Sequence, residues 1–432
     1  DGHVEVEWNQ SSTQKSVVKE RVPELNWEIL VHSREKKEKA DHFKKGQAVV
    51  RFKEHVQVNE WLKRNPDIKV LKSNDLYYVL AHDHLSTEDF VSKLSRERVI
   101  LHAEPNYQFI KQQEGETTPN DEFFQPYQWN LKQIDSEIGW NISEGAEHVI
   151  IAILDTGIDL EHEDLADKVI AGYNAFDGST NVQDEHGHGT HVAGIACAVT
   201  NNITGIAGVS WYNPILPVKV LNEEGSGSLF EVADGIKWAT DNGAKVINLS
   251  LGDAQASEIL YDAIRYAYER DVVLIAAAGN DNVAEPMYPA AYPEVLAVAA
   301  VDQERKKASF SNYGPHIDVT APGAHIPSTF PGNNYVYMSG TSMAAPHVAG
   351  LAGLIRAFNP ELTNQEVMDL IKHTAVDLGP QGVDEYFGYG LINLAKALQA
   401  MQISDYATAM DEDNRSPFLK WILSWFENKG RK

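Results

Sequence analysis

The stretch Gly340-Thr341-Ser342-Met343-Ala344-Ala345-Pro346-His347-Val348-Ala349-Gly350 sets a serine between a Gly-Thr turn and a helix built of small residues. Gly340 permits a tight approach, Pro346 is tolerated only near a helix start, and the Ala and Gly positions let the helix pack closely on its neighbours. A serine so placed has its own backbone N–H at the positive end of the helix, where a developing oxyanion is stabilised. Alone the motif says little, because most Gly-Thr-Ser turns are only helix caps. Its weight comes from what lies upstream.

Working outward from Ser342, an apolar run over residues 149–154 ends in Asp155-Thr156-Gly157, and His186-Gly187-His188-Gly189-Thr190-His191-Val192-Ala193-Gly194 follows it. Asp, His and Ser therefore occur in the chain order of subtilisin, which differs from that of chymotrypsin. Together the three motifs resemble the subtilisin-like serine proteases, most closely their thermitase-like branch, over residues 118–400. The resemblance implies that Ser342 is a nucleophile, His188 its general base and Asp155 the carboxylate that orients the base. A serine hydroxyl is a poor nucleophile unassisted, so the base is indispensable. Asn280, in Ala276-Ala277-Ala278-Gly279-Asn280, matches the family's side-chain donor to the oxyanion.

Two further segments, Gly225-Ser226-Gly227-Ser228-Leu229 and Ser250-Leu251-Gly252, match those that clasp an extended peptide in the family, by backbone pairing of the strand-addition kind. Asp253 stands where relatives usually have glycine, and Met287, just before Tyr288-Pro289, matches the position that lines the floor of the main specificity pocket in the family. The expectation is a shortened pocket with an acidic mouth from Asp253 and Asp281. It would prefer medium apolar residues before the cut and tolerate some Lys or Arg.

Calcium is implied by a second set of matches. Thr200-Asn201-Asn202-Ile203-Thr204-Gly205-Ile206 resembles the family's calcium loop. Asp121, Asp164 and Asn202, with the carbonyls of Thr200, Thr204 and Ile206, would give an oxygen set suited to a hard cation. A weaker second site is implied at Asp318, with the carbonyls of Ala290, Tyr292 and Val295. Asp184, His186, His188 and His191 must also be weighed as a zinc cluster. Their spacing fits no standard zinc helix, and the Gly-Thr-His-Val-Ala-Gly continuation is what the protease family places after its base.

At 432 residues, with 43% hydrophobic and 23% charged positions, the chain has the composition of a folded protein of two or three domains. Its charge is lopsided. Residues 1–116 hold 19 Lys and Arg against 20 Asp and Glu, so nearly the whole net charge of −25 belongs to residues 117–432. Such a surface excludes nucleic acid as an expected partner and favours calcium and cationic polypeptides. The single cysteine, Cys197, excludes an internal disulfide and reads as a buried residue of an apolar helix. No apolar run reaches the roughly 18 residues needed to span a bilayer.

Along the chain, residues 1–40 read as a polar, solvated leader with the charge run Arg34-Glu35-Lys36-Lys37-Glu38-Lys39. Within it, residues 25–31 read equally as strand or helix. Residues 41–116 read as a small α+β, ferredoxin-like unit and its cleavable linker. Strands are expected at 48–52 and 76–80, helices at 58–63 and 89–94, and a closing segment at 101–110. That closing segment, with Glu104-Pro105-Asn106-Tyr107, resembles the end of a subtilisin propeptide. The resemblance implies a domain that assists folding and then inhibits the protease, with self-cleavage at residues 112–118. Residues 117–400 read as a doubly wound parallel α/β sheet, because 215–221, 246–251, 272–278 and 295–301 are continuously apolar, as strands covered on both faces should be. Residues 401–432 form a tail whose aromatic-basic end offers a membrane contact. Packing of that end on the protein itself is favoured.

The sequence therefore points to a secreted or cell-surface serine endopeptidase of broad specificity. It is expected to be a monomer, made as a self-processing zymogen and stabilised by calcium, with its leader peptide already removed. Polypeptide substrates and its own propeptide are the expected partners. Two alternatives stay open at this point. One is a narrowly specific processing or spore-associated protease with a retained propeptide, and the other an inactive binding module. An intracellular place also stays open.

Overall fold

The run Ile150-Ile151-Ala152-Ile153-Leu154 is apolar at every position because alternate side chains enter opposite cores. Ile151 and Ile153 belong to one buried cluster, and Ala152 and Leu154 to another. Successive side chains of a strand point to opposite faces, so a strand covered on both sides has no polar positions. The computed structural model describes residues 17–22, 25–30, 43–107 and 117–407. The chain divides into two units, Arg34–Glu114 and the remainder.

In the larger unit, Ile150–Asp155 lies inside a seven-stranded parallel sheet. From one edge, its order is Val319–Pro322, Val295–Val301, Val273–Ala277, Ala244–Leu249, Ile150–Asp155, Ile215–Lys219 and Tyr173–Asn174. The helices Leu229–Asp241 and Glu258–Tyr268 cover one face through Val232, Ile236, Leu260 and Ile264. His188–Cys197 and Thr341–Phe358 cover the other through Val192, Ile195, Val348 and Leu351. Each fully buried aliphatic side chain contributes about 1.5–3 kcal/mol. Cys197 is buried at the end of its helix. The doubly wound α/β architecture expected from the sequence is present.

Strand order fixes where a site can form. From Ile150–Asp155 the chain goes to the edge strand Tyr173–Asn174 and returns to Ile215–Lys219 between the two, then crosses to Ala244–Leu249 and builds outward on the other side. The order reverses beside Ile150–Asp155, and at such a point a crevice opens beyond the carboxyl ends of the strands. Asp155 and Ser250 lie at those ends.

An antiparallel hairpin, Ile326–Phe330 with Asn334–Met338, lies beside the helix His188–Cys197. Ser328 Oγ donates to the His191 carbonyl at 2.7 Å, and Thr329 Oγ1 to that of Thr190 at 2.8 Å. Two N-terminal strands, Val17–Val22 and Leu25–Leu30, extend this hairpin to four strands, Leu30, Ile29 and Glu28 pairing with Tyr335, Val336 and Tyr337. The segment that read equally as strand or helix is thus a strand. What decides it is the open backbone edge of Asn334–Met338, about 300 residues downstream, which local sequence cannot reveal. No helix among the described residues is long and apolar enough to cross a membrane.

The unit Arg34–Glu114, taken by itself, runs β-α-β-β-α-β. Its strands stand in the order Ile68–Ser73, Tyr78–His82, Phe43–Phe52, Ile100–Tyr107, with helices Val58–Lys63 and Thr87–Ser95, which is the ferredoxin-like arrangement. Val50, Trp61, Leu80, Phe90, Leu94 and Ile100 form its core. The sequence reading misses Ile68–Ser73, because only Ile68 in it is buried and no alternation results. The leader's charge run, the cleavage site expected at 112–118 except for its last two residues, and the tail beyond 407 lie outside the described residues.

Candidate active site

Asp155 ends its strand fully buried, and His188 is the first residue of the helix His188–Cys197. The imidazole Nδ1–H donates to Asp155 Oδ1 at 2.7 Å, and the Thr156 N–H donates to the same oxygen at 2.8 Å. With the Nδ1 proton committed, Nε2 keeps the lone pair of a base. Burial pushes the His188 pKa down, but the charge and hydrogen bond of Asp155, helped by the charge of Asp184, outweigh it and hold it above the ordinary imidazole value. The backbone here demands glycine twice. Gly187 has φ of 102°, and a Cβ at Gly189 would stand 2.1 Å from the Gly157 carbonyl.

Ser342 stands in the first turn of the helix Thr341–Phe358. Thr341 shapes that turn: its N–H and its hydroxyl both donate to Asn280 Oδ1, at 2.8 and 3.0 Å, and its Oγ1 accepts from the Gly279 N–H at 3.0 Å. With its oxygen occupied, Asn280 has Nδ2 to offer. A Cβ added at Gly340 would lie 3.6 Å from both Asn280 Nδ2 and Ser342 N, so the two donors border one small space. Paired N–H donors around such a space can stabilise an oxyanion. The Ser342 hydroxyl donates to the Ser250 carbonyl at 3.2 Å. Ser250 Oγ in turn donates to the Ser342 carbonyl at 2.9 Å and accepts from Asn248 Nδ2 at 2.9 Å. Deeper in the same helix, His347 Nδ1–H donates to the Met343 carbonyl at 2.8 Å, and its Nε2 accepts from Asn130 Nδ2 at 2.8 Å.

A cleft of about 760 Å³ runs past this constellation. His188, His186 and Thr156 line it together with residues 225–229 and 250–253, and Leu260 and Tyr288 add apolar wall. The segments expected to clasp substrate, Gly225, Ser226 and Gly227 on one side and Ser250, Leu251 and Gly252 on the other, thus border one space. Met287 lies beyond its lining: its Cγ would be 2.9 Å from a Cβ at Gly279, and its Cε 3.8 Å from one at Gly252, so its side chain fills the room between the two glycines. Asp253 and Tyr288 exchange backbone hydrogen bonds of 2.9 and 2.7 Å beside it. Glu224 and Asp253 put carboxylates on the cleft, whereas Asp281 is exposed and is not among its lining residues.

Of the four residues weighed as a zinc cluster, Asp184, His188 and His191 are engaged otherwise, and His186 Nδ1 accepts from the His188 N–H at 3.3 Å. Asp184 accepts from five backbone and hydroxyl donors, His188 is bonded to Asp155, and His191 Nε2 donates to the Val336 carbonyl at 3.1 Å. Sequence reasoning missed this role of Asp184. The signal was there, since a carboxylate three residues ahead of the Gly187-His188 helix start is placed to satisfy free N–H groups.

Around the calcium-like loop, the structure brings Asp121, Asp164, Asn202 and Ile206 together. Asp164 Oδ1 accepts from Asn202 Nδ2 at 2.8 Å and its Oδ2 from the Ile206 N–H at 2.9 Å. Asp121 Oδ2 accepts from the Asn201 N–H at 2.8 Å, and its buried Oδ1 meets no hydrogen-bond partner. Burial pushes Asp121 up to about 6, and burial together with the Asp121 charge pushes Asp164 up as well. Two buried carboxylates with raised pKa values, one with an orphaned oxygen, suit a hard cation. Thr204 N–H donates to Asn202 Oδ1 at 2.8 Å, and Thr200 Oγ1 donates to the Ala198 carbonyl at 3.0 Å. At the weaker site, Asp318 Oδ2 accepts from the Ala297 N–H at 2.9 Å, the Tyr292 carbonyl accepts from Val295 N–H at 3.0 Å, and Lys372 Nζ stands 4.0 Å from Asp318 Oδ1. Ala290 is buried nearby in sequence.

The chain belongs to the subtilase family, whose sequence model matches residues 146–390. It is a subtilisin-like serine endopeptidase of the thermitase-like branch. Among its relatives, a thermophilic serine proteinase of Bacillus sp. (strain AK1) is 42% identical over 357 residues, 82% of this chain and 87% of that protein. Thermitase of Thermoactinomyces vulgaris is 46% identical over 282 residues, 65% of this chain and 99% of that one. A solved protease structure from Pseudoalteromonas arctica superposes with a TM-score of 0.61 at 34% identity, covering 66% of this chain and 99% of its own.

Proposed function

We propose that Ser342, His188 and Asp155 hydrolyse peptide bonds through an acyl-enzyme, with Asn280 Nδ2 and the Ser342 N–H holding the oxyanion. The observation that carries this reading is the 2.7 Å bond from His188 to Asp155, which leaves Nε2 free to act as base. Substrate enters extended between residues 225–227 and 250–252. The Ser342 hydroxyl leaves the Ser250 carbonyl and gives its proton to His188 Nε2 as Oγ attacks the scissile carbonyl. His188 returns that proton to the leaving amine, and a water molecule repeats the cycle to release the acid. Asp155 stabilises the imidazolium without taking its proton. A fluorophosphonate probe tests the assignment: label on Ser342 that is lost in Ser342→Ala supports it, and label elsewhere refutes it.

Four finer readings accompany this one. The unit Arg34–Glu114 is an inhibitory propeptide removed by self-cleavage at residues 112–118, so Ser342→Ala should stay uncut in pure solution. Calcium is held by Asp121, Asp164, Asn202 and the carbonyls of Thr200, Thr204 and Ile206, where it would neutralise the two buried carboxylates. A cation at Asp318, with Ala290, Tyr292 and Val295, would compete with Lys372. The mature enzyme acts outside the cell as a monomer on polypeptides, which fractionation of the producing culture and sedimentation of the purified enzyme test.

A further inference from the structure

We propose that Asp184 is a positioning residue for the catalytic base: its buried carboxylate keeps the peptide carrying His188 in register with the peptide carrying Asp155. The inference rests on the reading of His188 as base. Asp184 is 3% exposed. Its Oδ1 accepts from Thr156 Oγ1 at 2.8 Å, the His186 N–H at 3.0 Å and the Gly187 N–H at 2.8 Å. Its Oδ2 accepts from the Thr190 N–H at 2.9 Å and Thr190 Oγ1 at 2.6 Å. The donors therefore bracket His188, with Gly187 directly before it and Thr190 two residues after.

Thr156 closes a ring. While its hydroxyl donates to Asp184, the same oxygen accepts from the Gly189 N–H at 2.9 Å, and the Thr156 N–H donates to Asp155 Oδ1 at 2.8 Å. The strand end and the helix start are thereby joined by a path that does not pass through the imidazole. All five groups at Asp184 donate, so only an acceptor without hydrogens of its own satisfies them, and an amide would turn an NH₂ group against at least two of them. The charge matters as well, because the Asp184 carboxylate adds to that of Asp155 in favouring the imidazolium that forms when Ser342 gives up its proton. The other titratable groups facing that imidazole are Asp155, His186 at 6.3 Å between rings, and His191 on its own helix.

The test uses the full-length chain with Asp184→Asn and, separately, Thr156→Val, with rates normalised to the Ser342 sites that a fluorophosphonate titrates to completion. Circular dichroism checks the fold. For Asp184→Asn, kcat should fall about tenfold to a hundredfold with KM within about twofold, the scale of loss when a reacting group is misplaced. The acid limb of its kcat/KM profile should move to lower pH by about half a pH unit, because one stabilising charge is gone. Thr156→Val keeps the charge, so kcat should fall severalfold with the limb in place. A lower melting temperature with unchanged kcat and an unmoved limb in Asp184→Asn would make Asp184 merely structural and overturn the proposal. If that variant does not fold, an unchanged kcat in Thr156→Val overturns it instead. Full turnover by His188→Ala would fail the underlying assignment of the base.

Discussion

Ser342 and Ser250 hold each other twice: the Ser342 hydroxyl donates to the Ser250 carbonyl at 3.2 Å, and the Ser250 hydroxyl donates to the Ser342 carbonyl at 2.9 Å. The second bond steadies the turn that supplies the Ser342 N–H to the oxyanion space. The first rests the nucleophile on an acceptor that is no base. The hydrogen bond from a nucleophile to its base often tightens only once substrate binds.

Because Asn280 spends its oxygen on Thr341 and keeps its amide for the oxyanion space, removing that amide should act on the transition state alone. Asn280→Leu is expected to lower kcat by about 10²–10³-fold with little change in KM, the scale known for the corresponding donor in subtilisin itself. Steady-state kinetics on a chromogenic peptide decide it. A rise in KM with kcat unchanged would place Asn280 in substrate binding instead.

The active protein must have His188 unprotonated, and its pKa is raised by Asp155 against the effect of burial. The acid limb of kcat/KM should therefore lie above the ordinary imidazole value of about 6.5. Asp155→Asn should move the limb down and cut kcat by about 10⁴-fold, as in other Ser-His-Asp enzymes. A limb that stays in place on that substitution would assign the titration to another group.

Two buried histidines that take no part in the proposed proton transfers, His191 and His347, make stability depend on pH. Burial lowers His191 to about 3 and His347 to about 4. Below about pH 6.5 the unfolded chain takes up protons that the folded chain refuses. Their contribution is complete above that value and is lost as the pH falls toward 4, with a slope approaching about 1.4 kcal/mol per pH unit for each. Denaturant unfolding of the Ser342→Ala chain between pH 7 and 4.5 measures the slope. His347→Gln should flatten it, and an equally steep line would rule His347 out as the source.

Removing calcium should expose the conflict between Asp121 and Asp164. With EDTA the melting temperature of Ser342→Ala should fall, and excess calcium should restore it, the stabilisation amounting to about 2.7 kcal/mol at a hundredfold over its dissociation constant. Asp164→Asn should blunt the response. A melting temperature indifferent to both EDTA and calcium would remove the ion from this account.

Met287 fills the space between Gly252 and Gly279, so shortening it should lengthen the pocket. For Met287→Gly, the ratio of kcat/KM for Phe over Leu before the cut should rise about tenfold, in line with what a few methylenes are worth in an apolar pocket. A peptide library in which the parent enzyme already prefers Phe and Tyr would show that Met287 does not limit depth.

Much of the site was legible because its residues sit in short motifs with strict backbone needs. Gly187 before His188, Gly279 before Asn280 and the small residues after Ser342 are constraints a sequence displays directly. The continuous apolar runs likewise announced strands buried on both faces, and with them a parallel sheet. What the tertiary structure alone decided is which distant groups meet. The strand at Leu25–Leu30 exists through pairing with Asn334–Met338, Lys372 stands at Asp318, and Thr156 meets Asp184 across 28 residues. Ser342 meets Ser250 across 92. Local sequence sets backbone conformation and which faces are apolar, whereas hydrogen bonds between segments depend on the order in which the strands assemble.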